Sequence, residues 1–238
     1  MNSTINKKIE LINLGHIDYQ KAWKIQEEIF NKTINIKIEN RKKETNNLTQ
    51  NYIITCSHPH VYTLGKSGEE KNLLIDKKII KKKKLAYYKI NRGGDITYHG
   101  PGQIVIYPII DLENFFTDIH LYLRKLEETI IKTLDSYDIK SGRIDKLTGV
   151  WINNESSNPK KICAMGVKCS RWVTMHGLAL NVSTDLSYFD NIIPCGINDK
   201  AITSIENEID KIVNMKSVEN EIIKNLCEVF EFELNNNK

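Results

Sequence analysis

Residues 85–112 read Leu85-Ala-Tyr-Tyr-Lys-Ile90-Asn-Arg92-Gly-Gly-Asp-Ile-Thr-Tyr-His-Gly100-Pro-Gly-Gln-Ile104-Val-Ile-Tyr-Pro108-Ile-Ile-Asp-Leu112. Two apolar runs, Leu85–Ile90 and Ile104–Leu112, have the length and composition of strands and flank a stretch dense in glycine. Four of the 12 glycines of the chain fall between Arg92 and Gly102. Glycine at that density lets a ligand approach the main chain closely, and Arg92, Thr97, Tyr98 and His99 can all hydrogen-bond there. The loop lacks the Gly-Lys-Ser/Thr of a phosphate-binding loop and the Gly-x-Gly-x-x-Gly spacing of a dinucleotide fold. Pro108 has no ladder hydrogen to give, so the second strand is expected at a sheet edge or bulged.

Outward from this core, Ile9–Leu14 reads as a strand. Tyr19, Trp23, Ile25 or Gln26, and Ile29 or Phe30 mark a helix after Asp18. Residues 33–50 are polar and lysine-rich, as expected of a helix end and a solvated loop. Asn51–Thr55 and Val61–Leu64 are strand-like, with Pro59 between them. Downstream, Ile119, Leu123, Leu126, Ile130 and Leu134 form one apolar stripe behind an Asp118 cap. Three short strands follow, at Gly149–Asn153, Lys161–Lys168 and Met175–Val182. Leu186–Asn191 reads as a turn or short helix and residues 192–196 as a loop. A last amphipathic helix carries Val218, Ile222, Leu226 and Val229 or Phe230. Strands and helices interleave without a βαβ rhythm, which predicts an α+β (α/β two-layer) fold, a mixed sheet flanked by helices in one domain over residues 1–238.

The chain has 238 residues, 40% of them hydrophobic and 27% charged, and a net charge of +4. That balance suits a globular protein and gives no footprint for a nucleic-acid partner. Ile, Asn and Lys recur throughout as a compositional bias, so the lysines of residues 77–84 read first as a solvated face. The N-terminus lacks the apolar run of a secretion signal, and no window approaches a membrane span. Five irregularly spaced cysteines without a Cys-x-x-Cys suit a reduced, cytoplasmic protein. Metal binding by Cys56, His58 and His60 is disfavoured, since Pro59 breaks the strand and no fourth ligand is evident.

Cys195 stands between Pro194 and Gly196, where proline stiffens the approach and glycine leaves the thiol open. The other cysteines lie in strand or helix patterns, as small buried hydrophobes do. A nucleophilic thiol needs help to ionise near neutral pH. Lys161 opens an apolar run, where desolvation makes a lysine a usable base. His99 and His176 are rival partners, because the Cys–His dyad is common.

Four segments together carry a resemblance: residues 92–103, Lys161-Ile-Cys-Ala-Met-Gly166, His176-Gly-Leu-Ala-Leu-Asn-Val182 and Pro194-Cys-Gly196. In this order they resemble the octanoyltransferases of lipoate biosynthesis. The resemblance runs from about His58 to Ser204. It implies the fold of the biotin and lipoate protein ligases. It further implies transfer of an octanoyl group from acyl carrier protein to a lysine of a lipoyl domain, on 2-oxoacid dehydrogenases or the glycine cleavage H protein. The acyl-thioester cysteine of that family falls on Cys195 and its pKa-lowering lysine on Lys161. Substrate-binding positions fall on Arg92, Gly93, Gly94, Asp95, Ile96, Thr97, Tyr98 and His99, on Ala164, Met165 and Gly166, and on Gly177, Leu178 and Ala179. The small residues Ala164, Gly166, Gly177 and Ala179 are expected to leave room for the acyl chain. No cofactor or metal is expected, since phosphopantetheine arrives on the carrier. No nucleic acid or membrane is expected as a partner. Docking of an acidic carrier protein is the second reading of the lysines of residues 77–84, and the insert around Lys78 to Lys84 stands apart from the family pattern.

Ser57 stands where an acidic residue is common in that family, and Thr148 where proline is usual. The alternatives are an ATP-dependent lipoate or biotin protein ligase, which needs no thioester cysteine, and a non-catalytic homologue that binds carrier protein.

Overall fold

The structure, a computed structural model, describes residues 5–193 and 201–235. The Pro194-Cys195-Gly196 motif lies outside the described residues. Strands β1 (Lys8–His16), β2 (Asn51–Ser57), β6 (Gln103–Ile109), β7 (Ser141–Ile144), β8 (Leu147–Ile152), β9 (Lys160–Ser170), β10 (Val173–Asn181), β11 (Ala201–Ile202) and β12 (Glu233–Leu234) build a mixed main sheet. Among the described residues its order is β12-β1-β2-β6-β10-β9-β8-β7, with β11 added beside β9. Strands β3 (Val61–Leu64), β4 (Ala86–Lys89) and β5 (Ile96–His99) form a smaller sheet, ordered β4-β3-β5.

Helix α1 (Tyr19–Lys43) covers one face of the main sheet, packing Ala22 and Phe30 against Ile54, Val105, Tyr107 and Met175. The Asp18 side chain accepts hydrogen bonds from the N–H groups of Gln20 and Lys21, and Arg41, Lys42 and Lys43 complement the dipole at the far end. The helix therefore runs well into the polar stretch after Thr33. Its apolar face is narrow there, which the composition of the stretch conceals. Helices α3 (Ile119–Asp135) and α5 (Met215–Phe230) cover the other face through Leu126, Ile130, Ile222 and Leu226. Of two shorter helices, α4 (Ile205–Ile209) packs Ile205 against the same core as α3 and α5, and α2 (Lys77–Lys82) packs Ile80 against the smaller sheet. The architecture is α+β, as the interleaved pattern predicts.

Pro108 departs from expectation. Strand β6 is central, and Pro108 pairs in register with Ile53 of β2. The interruption falls on the opposite neighbour. The β6–β10 ladder stops at Ile106↔Leu178, and His176 takes a left-handed backbone with φ of 63°. Contact resumes where Thr174 N–H donates to Ile110 O. The missing hydrogen of proline is thus accommodated by a break in its partner, so β6 needs neither an edge nor a bulge.

Candidate active site

Between the main sheet and the glycine loop lies a cavity of about 480 Å³, within the range of small-molecule sites. Arg92, Gly93, Gly94, Asp95, Ile96, Thr97 and His99 line one side, and Lys161, Ala164, Met165, Gly166, Gly177, Leu178 and Ala179 line the sheet side. Along β9 it extends from Lys161 to Val167, six residues or about 20 Å of strand. Tyr98 is the exception among the loop positions. It is 1% exposed, and its hydroxyl hydrogen-bonds His60 Nδ1. Its ring stacks on Tyr188 and meets Phe189 edge-on. Tyr98 therefore braces the 3₁₀ turn Leu186–Asn191, whose Phe189 does line the cavity.

Lys161 is 9% exposed and sits where three strands meet. It pairs with Trp151 of β8 on one side and with Ile202 of β11 on the other. Its Nζ lies 4.5 Å from the centre of the Trp151 ring, in a cation–π contact. A register shift between Val150 and Trp151 sets this pairing. Gly149 stands beside the shift with φ of +120°, and a side chain there would meet Cys163 O at 2.6 Å and the methylenes of Lys161 at 3.5 Å.

A buried carboxylate fixes this corner from below. Glu127 on α3 is fully buried and accepts hydrogen bonds from Gly149 N–H at 3.0 Å and Arg143 Nε at 3.1 Å, with Arg124 3.0 Å away. Burial pushes its carboxyl up from the ordinary value, while Gly149, Arg124 and Arg143 pull it down.

Two hydrogen-bond chains join the glycine loop to the flanks of residues 194–200. Gln103 Nε2 donates to Asn181 Oδ1 and to Tyr98 O, so its Oε1 faces His99, whose Nδ1 carries the proton. Asn181 Nδ2 then donates to Thr203 O, and Thr203 N–H donates to Lys161 O. On the other flank Asp95 accepts from Asn72 Nδ2 at 2.6 Å, and Asn72 O accepts from Ile193 N–H at 2.8 Å. Ile193 is two residues before Cys195, and Ala201, paired with Lys160, is six after it.

Neither histidine is prepared as a base. Burial, with Arg92 adding to it, holds His99 and His176 down to about 3. Among the described cysteines, burial pushes the thiols of Cys56, Cys163, Cys169 and Cys227 up, away from the thiolate. The small residues of the sheet also divide into two kinds. A side chain on Gly177 would meet Ile106 O at 2.0 Å, and one on Gly166 would meet Gly93 O at 2.6 Å. A Cβ on either glycine would enter neighbouring backbone, so both line the cavity through their main chain, while the cross-strand pair Ala164–Ala179 lines it with small side chains. The N–H of Gly93 donates to Val167 O and so ties the glycine loop to β9.

Trp151, Gly149, Glu127, Gln103 and Phe189 belong to the site without having been singled out by their residue type. Of these, Gln103 alone stands within a quoted motif; the others act through strand register or tertiary packing, which leave no local signal.

The description of the lipoyl protein ligase A/B catalytic domain matches residues 18–227. A Christiangramia forsetii protein named octanoyltransferase is 57% identical over 231 residues, covering 97% of this chain and 99% of that one. A Bacteroides fragilis protein of the same name is 46% identical over 210 residues, covering 88% and 92%. Among solved structures, a bipartite lipoate protein ligase from Thermoplasma acidophilum superposes with a TM-score of 0.69 at 15% identity, covering 98% of this chain and 86% of that one. A lipoate-protein ligase A bound with ATP gives 0.68 at 15% identity, covering 97% and 88%. At such identities these two structures speak to the fold alone.

Proposed function

Because the chain belongs to the family of the lipoyl protein ligase A/B catalytic domain and is an acyltransferase of lipoate biosynthesis, we propose that it moves an octanoyl group from octanoyl-acyl carrier protein, through a thioester on Cys195, to a lysine of a lipoyl domain. The observation that carries this reading is the convergence in one cavity of the glycine loop, Lys161, and the Ala164 and Ala179 wall. An extended octanoyl chain spans about 8–9 Å at roughly 1.2 Å per bond, well inside the length of that cavity.

The chemistry proceeds in two half-reactions. The Cys195 thiolate attacks the carrier thioester carbonyl. The new C–S bond forms as the old one breaks, and the phosphopantetheine thiol leaves with a proton. The lipoyl-domain amine then attacks the Cys195 thioester, the amide forms, and the thiolate of Cys195 is regenerated. Lys161 takes the thiol proton in the first half and relays protons in the second. Its site supports this role: Trp151 faces the ammonium, Gly149 backs the methylenes, and Ile202 brings the chain back from residues 194–200 beside it. The buried, neutral histidines support the choice of lysine over histidine.

Intact-mass measurement after mixing with octanoyl-carrier protein tests the reading. The expected result is a mass gain of one octanoyl group that disappears in Cys195→Ala. No gain in the native chain, or full ligation activity of Cys195→Ser with ATP and free octanoate, would overturn it.

A further inference from the structure

The basic run before β4 occupies a distinct place in the fold. Helix α2 buries Ile80, and Leu85 follows it inward, against Tyr62, Leu64, Ile96, Tyr98 and Ile192. Lys78 and Lys82 of the helix, and Lys83 and Lys84 in the turn after it, are all exposed. Acidic groups nearby are already engaged. Glu69 pairs with Lys71, Glu70 pairs with Lys89, and Asp76 caps the Lys78 N–H. Among the described residues no carboxylate is paired with any of the four lysines.

Two exposed apolar side chains lie close to this basic run in the sequence. Leu74 is 56% exposed and Ile79 is 43% exposed. Ile79 stands on α2 itself, between Lys78 and Lys82, so the helix presents an apolar side chain together with the charge. A surface that combines exposed charge of one sign with exposed apolar groups suits a partner of opposite charge.

The face also borders the thiol-bearing segment. Leu74 N–H donates to Asn191 O, Leu73 bridges Ile192, and Ile193 N–H donates to Asn72 O. Residues 72–74 and 191–193 thus form a short ladder that ends two residues before Cys195.

We propose that the face formed by Lys78, Lys82, Lys83 and Lys84 around Leu74 and Ile79 docks an acidic surface of the protein that carries the acyl donor. The proposal rests on the carrier-bound donor of the function proposed above. A field of this kind raises encounter rates by about 10- to 1000-fold at low salt and fades as salt screens it. It acts on delivery of the donor and not on the chemistry at the thiol.

The test compares two donors: octanoyl-carrier protein, and octanoyl-pantetheine, which has the thioester but no protein. In a chain with all four lysines changed to Gln, kcat/KM with the carrier-bound donor falls about tenfold or more, mainly through KM. The value with octanoyl-pantetheine stays within about twofold of the native chain. The loss shrinks as salt is raised, and the matching Lys→Arg variant behaves as the native chain does. Equal losses with both donors, or no loss with either, would overturn the proposal. Calorimetric titration with the acyl-free carrier reads docking without turnover. Weakened binding in the Gln variant supports docking even if the native chain forms no acyl-cysteine, in which case the thioester mechanism fails and the docking face stands. Unchanged carrier binding together with weakened lipoyl-domain binding would reassign the face to the acceptor.

Discussion

At Lys161 three supports of different kinds meet: an aromatic ring facing the ammonium, a glycine against the methylenes and a paired strand on each side of the backbone. Each restrains a long side chain that would otherwise sample many rotamers. Replacing Lys161 with Ala is expected to slow octanoyl transfer to Cys195 by about 100-fold or more, the scale of a lost proton acceptor. Titration of the Cys195 thiol by alkylation rate checks the cause. In Lys161→Ala the thiolate fraction at neutral pH should fall, and an unchanged thiol pKa would break the proposed dyad. The resemblance of the four motifs singled out Lys161, and the structure places that residue in the cavity wall. Gly149 and Trp151 were not legible, because their meaning depends on a register shift that appears only when β8 is laid against β9. Gly166 and Gly177 carry a constraint beyond smallness at the cavity wall: a side chain on either would run into the backbone of Gly93 or Ile106.

Among the elements, β8 depends on α3 more than on its own composition. Glu127 offers both oxygens, one to the Gly149 N–H and one to Arg143, and so ties a helix to the irregular part of the strand. Glu127→Ala leaves the buried Gly149 N–H without its acceptor and is expected to cost about 1–3 kcal/mol. Glu127→Gln keeps an acceptor and should cost less. Urea midpoints would measure both, and a stability in Glu127→Ala equal to that of the native chain would contradict the clamp. From sequence the stripe of α3 is plain, but Glu127 reads as one more surface acid next to Glu128. The strands β9 and β10 are legible because their apolar runs are long, though β9 extends beyond both expected limits and β10 starts earlier and stops at Asn181, short of Val182. Pro108 was misjudged because ladder rules treat a strand alone, while its missing donor is absorbed by the turn of backbone at His176 in the neighbouring strand.

Over the whole molecule, the buried histidines link stability to pH. His99 and His176 are held down to about 3 in the native chain, whereas an unfolded histidine titrates near 6.5. Below about pH 6.5 the unfolded chain therefore binds protons that the native chain refuses. The stabilisation is complete above that pH and is lost progressively as pH falls toward 3. Two such protons at about 1.36 kcal/mol per pH unit each give a slope of about 2.7 kcal/mol per unit near pH 5. His58, also lowered by burial, acts in the same direction. Denaturant midpoints between pH 7 and 5 would measure this slope, and His99→Gln should remove about one proton from it. A flat profile would contradict the neutral buried state. The fold class was legible at this scale, since alternating strand and helix patterns without a βαβ rhythm left few architectures. The sheet order was not, because it is set by pairings between segments far apart in the chain.

Those distant pairings also set a sequence of events in time. Lys161 meets its β11 partner Ile202 only after 202 − 161 = 41 further residues exist, and β1 closes on β12 across 233 − 8 = 225. Closing loops that long carries an entropy cost that local contacts do not, so such pairings form late. On an emerging chain, the lysine is made well before the strand that flanks it, and the cysteine is translated before that strand as well. A partly synthesised chain therefore holds Lys161 without the strand that comes to flank it, and the cavity beside that lysine lacks its Ile202 wall until β11 has been made.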